Sequence, residues 1–328
     1  MPINKSYINK FIKTTQLAAC GASLFIGKKD KNSADKAAVD NMRAELNKIE
    51  MNGRIVIGEG ELDEAPMLYI GENVGTGTGD DIDIAVDPVE GTNFVAYNKP
   101  NAIAVLAAAN KNEILHAPET YMNKIVVGPN LPKNIVDLDN DLEDNLRSLA
   151  KEKSKKINEL TVCILDRPRH NEIINKLKFL KVNLKLITDG DVCGALLVIN
   201  KKNNIDIFIG VGGGPEGVLA AAALTCFGCQ MQTRLLFQNE TEIKRANEMG
   251  ISNLDKKYNL DDMIKGDVIF CATGITDGEL MSGIKNTNDG FICESFASHK
   301  NSNFFNISSE KILKWALIQS LIKTGNLN

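Results

Sequence analysis

The sequence is short of histidines and aromatic residues, and it has no long apolar run. Its 328 residues include three histidines, and 5% of the chain is aromatic. Three dispersed histidines are too few for a histidine-based zinc site. The longest apolar stretches, such as residues 102–109, fall far short of the ~20 residues that a helix needs to cross a bilayer. The sequence therefore predicts neither a zinc centre nor a membrane span.

An excess of positive charge is also missing. The formal net charge is -4, and basic residues are not interleaved with aromatic ones, so we expect no nucleic-acid partner. Residues 1–13 carry lysines but no apolar core of a signal peptide. Seven scattered cysteines, odd in number, indicate reduced buried thiols, including the Cys226–Cys229 pair. These features favour a cytoplasmic protein.

What remains is the composition of an ordinary globular protein, with 43% hydrophobic and 24% charged residues. Helical periodicity covers residues 7–26 and continues in a second helix to about Lys48. From Leu160 onward, apolar strands alternate with helices, which predicts a mostly parallel sheet covered by helices. We therefore expect one bilobal unit, with an N-terminal lobe over residues 1–140 and a C-terminal lobe over residues 141–328. The polar residues 129–156 would form the connection.

The most informative stretch is residues 83–92. Ile84 to Val86 predict a buried strand that leads to Asp87, and Pro88 is expected to end it. Glu90 follows on the same turn, and two carboxylates this close repel each other unless a cation lies between them. Oxygen ligands favour Mg²⁺ or Mn²⁺. The alternative is an ordinary turn with an incidental Asp-Pro pair.

Other acidic residues stand at predicted element ends. Ser33 is the expected N-cap of the second helix, which places Asp35 in its first turn, where the helix dipole alone would explain it. Glu59 follows a short strand between two glycines, a position typical of ligand contacts, although a solvated acidic loop is the alternative.

Polar residues also end three strands of the C-terminal half. The first strand leads to residues 166–170, the second to residues 189–191 and the third to the glycine-rich residues 210–217. Two arginines and His170 beside a proline predict an anion site, since arginine presents a fork that matches phosphate. Glycines that enter a helix offer backbone N–H groups to an anion. Glu216 is either a dipole-favoured acid or another metal ligand.

Taken together, residues 58–69, 83–92, 166–170, 189–191 and 213–217 resemble the class II fructose-1,6-bisphosphatases, from about Asp30 to Ile275. The resemblance implies an α/β (α+β) fold of layered α-β-α-β-α type, shared with lithium-sensitive phosphatases and inositol monophosphatases. It also implies Mn²⁺- or Mg²⁺-dependent hydrolysis of the 1-phosphate of fructose 1,6-bisphosphate, and a homotetramer.

The resemblance assigns roles by position. It places Asp35 and Glu59 on one metal, and Asp87, Glu90 and Glu216 on a second. It gives Thr92 the task of orienting the attacking water. The sugar-phosphate contacts that it implies are Glu90, Gly91, Thr92, Tyr121, Arg167, Pro168, Arg169, Asp189, Gly190, Asp191 and Gly213.

Four alternatives stay open. Arg167 and the residues after Thr92 look closer to the dual fructose/sedoheptulose bisphosphatases, so the sugar length is undecided. An inositol-monophosphatase-like enzyme would need no second phosphate pocket, which Arg167 and Arg169 provide. A silent sugar-phosphate sensor would lack a metal ligand or Thr92. A dinucleotide-dependent oxidoreductase would need a complete glycine fingerprint, which none of the glycine-rich turns has.

Overall fold

The computed structural model describes residues 2–58, 67–199 and 201–317. The chain divides into two compact units. The first unit runs up to Ile114 and resumes at Lys265, and the second unit spans Leu115–Ile264. Within the described residues, no helix has the length and apolar character needed to cross a membrane.

The helices of the described chain include α1 (Tyr7–Ser23), α2 (Lys31–Leu46), α3 (Thr92–Ala96), α4 (Leu142–Glu152), α5 (Asn171–Phe179), α6 (Asp191–Leu196), α7 (Gly214–Leu224), α8 (Glu240–Glu248) and α9 (Leu260–Met263). The strands are β1 (Asn52–Ile57), β2 (Asn73–Val74), β3 (Asp81–Glu90), β4 (Ile103–Asn110), β5 (Tyr121–Val127), β6 (Thr161–Leu165), β7 (Asn183–Ile187), β8 (Ile207–Gly213), β9 (Gln230–Leu236), β10 (Lys257–Asn259), β11 (Val268–Gly274), β12 (Lys285–Asn286), β13 (Gly290–His299) and β14 (Phe304–Leu313).

The first unit is a sheet with the strand order β12-β13-β11-β4-β3-β1-β2, and β14 pairs with β13. β1 and β3 are parallel, and the other described pairs are antiparallel. Helix α1 packs on the sheet and on α2. Gly21 allows the close helix contact, because a Cβ there would overlap the Ala37 carbonyl.

Alternation of side chains along β3 explains the core of the first unit. Ile82, Ile84 and Val86 point to one face, where they join Phe11 of α1 and Leu106 of β4 in a buried cluster. Each such side chain stabilises the folded state by about 1.5–3 kcal/mol. The helix predicted over residues 7–26 is confirmed, and it ends at Ser23.

The second unit is a sheet with the strand order β10-β9-β5-β8-β6-β7. Helices α4 and α5 share a buried core with one face, through Leu146 and Ile174 against Ile125. Helices α6 and α7 pack on the sheet as well, where Gly194 lies against Phe208 and Gly217 lies against Met122. The predicted α/β fold class is confirmed.

The prediction of a mostly parallel sheet is wrong. β6 is parallel to β7 and β8, but β5 pairs antiparallel with both β8 and β9, and β9 with β10. Apolar patterns mark a buried strand without encoding its direction, which explains the error.

The division into units differs from the predicted boundary at residues 140 and 141. The chain leaves the first unit at Ile114, and α4 belongs to the second unit instead of forming a connection. The chain then returns, because β11 pairs with β4 and carries the C-terminal strands into the first sheet. Local sequence patterns do not predict pairing between strands that lie so far apart in the sequence.

Candidate active site

The end of β3 carries the acidic residues of the first unit. Asp87 faces Val105 of β4 and Glu90 faces Ile103, so the register shifts between them and forms a bulge. Pro88 was expected to end the strand, but it sits within this bulge, where its missing N–H does no harm. The Val89 N–H donates to Asp87 Oδ1 at 3.0 Å and fixes the turn. One oxygen of Asp87 and one of Glu90 lie within 4.8 Å of each other.

This geometry has an electrostatic consequence. Glu90 is 5% exposed and Asp87 is half-buried, so water screens their charges only in part. Two ionised carboxylates at this distance repel each other, and a hard cation between them removes the repulsion.

Gly91 and Thr92 follow directly. Gly91 has φ 87° and ψ 52°, a left-handed conformation that turns the chain into α3. The Phe94 ring closes over the position that a Cβ at Gly91 would occupy. Gly91 is the N-cap of α3, so Thr92 is the first residue of this helix. Thr92 is half-buried and follows Asp87 and Glu90 closely in the sequence. The Thr92 hydroxyl is therefore not needed as a cap.

The remaining metal ligands predicted for the first unit have different outcomes. Asp30, not Ser33, is the N-cap of α2, and its carboxylate accepts the Ser33 N–H at 3.0 Å. Aspartate caps as well as serine does, and the helix therefore begins earlier than predicted. Asp35 consequently lies beyond the first turn, half-buried. It belongs to no group of three ligand side chains within the described residues. Glu59 lies outside the described residues.

In the second unit, the two arginines flank Pro168 at the end of β6. Arg169 is exposed, donates from Nε to the Val211 carbonyl at 2.8 Å and holds its guanidinium 4.9 Å from the centre of the Tyr121 ring. Arg167 places a guanidinium nitrogen 3.7 Å from Asp189 Oδ1. The predicted Arg167, Arg169, Tyr121 and Asp189 are thus brought together in pairs.

His170 does not belong to this anion site, contrary to the prediction. It is fully buried, and both ring nitrogens are engaged by backbone groups of Leu165 and Val211, each at 2.7 Å. Burial lowers the pKa of the His170 imidazole, and the positive charge of Arg169 lowers it further, although the bond to Leu165 opposes this. Because Nε2 accepts the Val211 N–H, the ring is the neutral imidazole.

Asp191 starts α6 after Gly190, whose φ of 81° forms the turn. Its carboxylate accepts a hydrogen bond from Lys124, which also donates to the Gly213 carbonyl at 2.6 Å. Lys124 is 1% exposed and was not predicted. A single lysine in phase with buried Met122 and Val126 along β5 was the only signal in the sequence.

Glu216 lies at the start of α7, and its carboxylate covers Gly213, where a Cβ would overlap it. Within the described part of the chain, its buried Oε2 has no hydrogen-bond partner. Burial raises the pKa of the Glu216 carboxyl, and Lys124 counteracts this in part. An orphaned, buried carboxylate oxygen is the kind of donor that a divalent cation satisfies.

A cavity of about 250 Å³ collects several of these groups in the second unit. It is lined by Glu119, Thr120, Tyr121, Gly213, Pro215, Glu216, Gln238 and Glu242. The nearby glycines have structural roles. Gly212 leaves space for the Asp191 carboxylate, which a Cβ would overlap. The Gly214 N–H donates a hydrogen bond to the Thr120 carbonyl. The predicted cradle of free glycine N–H groups is therefore wrong at Gly214.

A carboxylate pair at a strand end and an arginine held over a tyrosine are the parts of a metal-assisted phosphate-ester hydrolase. Comparison with known proteins gives the family. The family model described as "Bacterial fructose-1,6-bisphosphatase, glpX-encoded" matches residues 5–311. The chain belongs to this family.

Two relatives illustrate the similarity. The fructose-1,6-bisphosphatase class 2 of Haemophilus influenzae is 44% identical over 296 residues, which cover 86% of this chain and 88% of that protein. The fructose-1,6-bisphosphatase 1 class 2 of Escherichia coli K12 is 46% identical over 289 residues, which cover 84% of this chain and 85% of that protein. The resemblance inferred from the motifs is confirmed.

Proposed function

We propose that the chain hydrolyses the 1-phosphate of fructose 1,6-bisphosphate and releases fructose 6-phosphate and phosphate, a reaction of gluconeogenesis. The observation that carries the proposal is the fixed guanidinium of Arg169, held by Val211 and Tyr121. A planar fork held in place is suited to a phosphate that is bound without reacting. The family and the names of its curated relatives support the same reaction.

We further propose that divalent ions, Mn²⁺ or Mg²⁺, are held by Asp35, Glu59, Asp87, Glu90 and Glu216. Two observations support a fit: the close carboxylates of Asp87 and Glu90, and the orphaned buried oxygen of Glu216. Once bound, such ions polarise phosphoryl oxygens and make water more acidic. Asp35 and Glu59 enter this set from the resemblance alone.

Thr92 would orient the attacking water. The Thr92 hydroxyl does not cap α3, because Gly91 is the N-cap of this helix. Thr92 also follows Glu90 by two residues. A positioned hydroxyl lowers the barrier by aligning a water that would otherwise lose entropy in the transition state.

We also propose the residues that contact the distal phosphate and the sugar. We assign Arg167 and Arg169 to the distal phosphate, because binding energy from a remote group positions the reacting one. The remaining contacts in this proposal are Glu90, Gly91, Thr92, Tyr121, Pro168, Asp189, Gly190, Asp191 and Gly213. Among them, Asp191 would act by holding its loop, because Lys124 donates a hydrogen bond to one of its carboxylate oxygens, Oδ2.

The second candidate activity is hydrolysis of sedoheptulose 1,7-bisphosphate, which the arginine at position 167 favours. The two sugars carry the same two terminal phosphates, so the arginines bind either one. Phosphate release from both bisphosphates and from inositol 1-phosphate, with and without Mn²⁺, tests the proposal. Turnover of inositol phosphate at the rate of the bisphosphates would contradict a dedicated distal-phosphate site.

We also propose that the enzyme works in the cytoplasm as a homotetramer. The free cysteines, six of them buried, support a reducing compartment. The tetramer comes from the family resemblance, and sedimentation velocity of the purified protein measures the subunit number.

A further inference from the structure

In the sheet of the second unit, the hydrogen-bonded pairing between β6 and β8 stops short next to the proposed phosphate site. The parallel ladder between β6 and β8 pairs Val162 with Ile207 and Cys163 with Phe208, and these are its last pairs. Beyond them, the Leu165 carbonyl of β6 and the Val211 N–H of β8 are bridged by the His170 ring.

The ring replaces the missing ladder bonds. Its Nδ1 lies 2.7 Å from the Leu165 carbonyl, and its Nε2 lies 2.7 Å from the Val211 nitrogen. A carbonyl only accepts and a backbone N–H only donates, so Nδ1 carries the proton and Nε2 accepts. Gly210 has φ 150°, and a Cβ there would lie 3.0 Å from Nε2, so the chain leaves room for the ring.

The same backbone residue holds the arginine. Val211 receives the ring at its N–H, and its carbonyl accepts Arg169 Nε at 2.8 Å. The guanidinium is then stacked 4.9 Å from the Tyr121 ring. A displacement of Val211 would therefore be passed on to Arg169, which is otherwise exposed and free to move.

We propose that His170 is a positioning residue for the distal phosphate: through Val211 it fixes the guanidinium of Arg169. The inference rests on the proposed function, in which Arg169 binds that phosphate. It predicts that disturbing His170 weakens substrate binding without slowing the chemical step, because the reacting phosphate is held by other residues.

Two substitutions separate the two hydrogen bonds of the ring. The side chain of His170→Asn reaches only the position of Nδ1, so it keeps the bond to Leu165 and loses the one to Val211. The longer side chain of His170→Gln brings its oxygen to the position of Nε2 and keeps the bond to Val211. The asparagine variant should therefore raise KM for fructose 1,6-bisphosphate by about tenfold, and the glutamine variant by less.

Two references complete the experiment. Fructose 1-phosphate lacks the distal phosphate, so its kcat and KM should stay near the wild-type values in both variants. Asn145→Ala is the matched structural control, because Asn145 is 3% exposed and bridges the N–H and carbonyl of Asp137, each at 2.8 Å. It should lower the melting temperature and leave both KM values unchanged.

Arg169→Ala separates a failure of the distal-phosphate assignment from a failure of the role proposed for His170. It should raise KM for the bisphosphate by about 10- to 100-fold. An unchanged KM in Arg169→Ala would overturn the distal-phosphate assignment and this inference with it. A raised KM there, together with a wild-type KM in folded His170→Asn or equal losses on both substrates, would overturn the role of His170 alone.

Discussion

In the proposed mechanism, Thr92 orients the attacking water, and kinetics on two variants separate this role from substrate binding. A hydroxyl that orients water acts in the transition state, so Thr92→Ala should lower kcat by about 10²–10⁴ and change KM little. Thr92→Ser keeps the oxygen but loses the β-branch that limits rotation, so it should retain reduced activity. Steady-state kinetics on both variants test this expectation.

The control for Thr92 is its melting temperature. Because Gly91 is the N-cap of α3, the alanine variant removes no cap and should melt close to the wild type. An alanine variant that melts early yet turns over at the wild-type rate would assign Thr92 a structural role instead.

Lys124 makes a second prediction at the scale of one residue. Lys124→Met removes the partner of Asp191 in a buried pair, which should lower the free energy of unfolding by about 3–5 kcal/mol. Lys36→Met removes an exposed partner of Asp40 on α2 and should cost about 0.5 kcal/mol or less. Denaturant unfolding measures the free energy of unfolding of both variants. Equal losses in the two variants would mean that the buried pair stabilises the fold no more than the exposed pair does.

Locality explains which residues could be predicted from the sequence. Asp87, Glu90, Gly91 and Thr92 lie within six residues, and one bulge and one turn arrange them. Lys124 was missed because its partners, Asp191 and Gly213, are distant in sequence and meet it only across the folded sheet.

At the scale of elements, Asp206 ties the segment that follows α4 to the start of β6. It is 3% exposed, accepts from Lys153 and Lys155 at 2.6 and 2.9 Å, and receives the Thr161 N–H at 2.8 Å. Burial alone would raise the pKa of Asp206, but the two lysines and the N–H bring it below its ordinary value.

The sign of the pH effect follows. A carboxyl whose pKa is lowered by folding stabilises the protein at every pH above its unfolded pKa of about 3.9, and this contribution is lost as the pH falls through the folded pKa. Asp206→Asn should therefore lower the free energy of unfolding at pH 7 by about 1.5–3 kcal/mol. The difference from the wild type should shrink below pH 4.

Chemical unfolding at pH 7 and at about pH 3.5 measures this difference. Asp289→Asn is the matched control, since Asp289 also pairs with a lysine, Lys311, at 2.7 Å but is 63% exposed. It should change stability little at either pH. A constant cost of Asp206→Asn across the two pH values would contradict the ionic account.

Element direction was harder to predict than element existence. Strands β6, β7 and β8 were found within a few residues, yet the antiparallel placement of β5 beside β8 was not. The reason is physical, because burial depends on which side chains are apolar, whereas direction depends on where the chain re-enters the sheet. The return of β11 to β4 after the whole second unit is the same effect over a longer distance.

At the scale of the whole molecule, the proposed metal requirement rests on acidic residues that lie far apart in the sequence. Asp87 and Glu90 repel each other without a cation, and Glu216 keeps an orphaned buried oxygen. Exhaustive treatment with EDTA should abolish turnover, and Mn²⁺ or Mg²⁺ should restore it.

Bound ions should also raise the melting temperature, because a ligand that binds only the folded state stabilises it by RT ln(1 + [L]/Kd). Glu216→Gln removes one charged ligand, so this increase should be smaller, while the matched variant Glu240→Gln on α8 should respond as the wild type does. Full activity after chelation would contradict the metal proposal, and a Mn²⁺-induced shift unchanged in Glu216→Gln would remove Glu216 from the ligand set while leaving the other carboxylates in place.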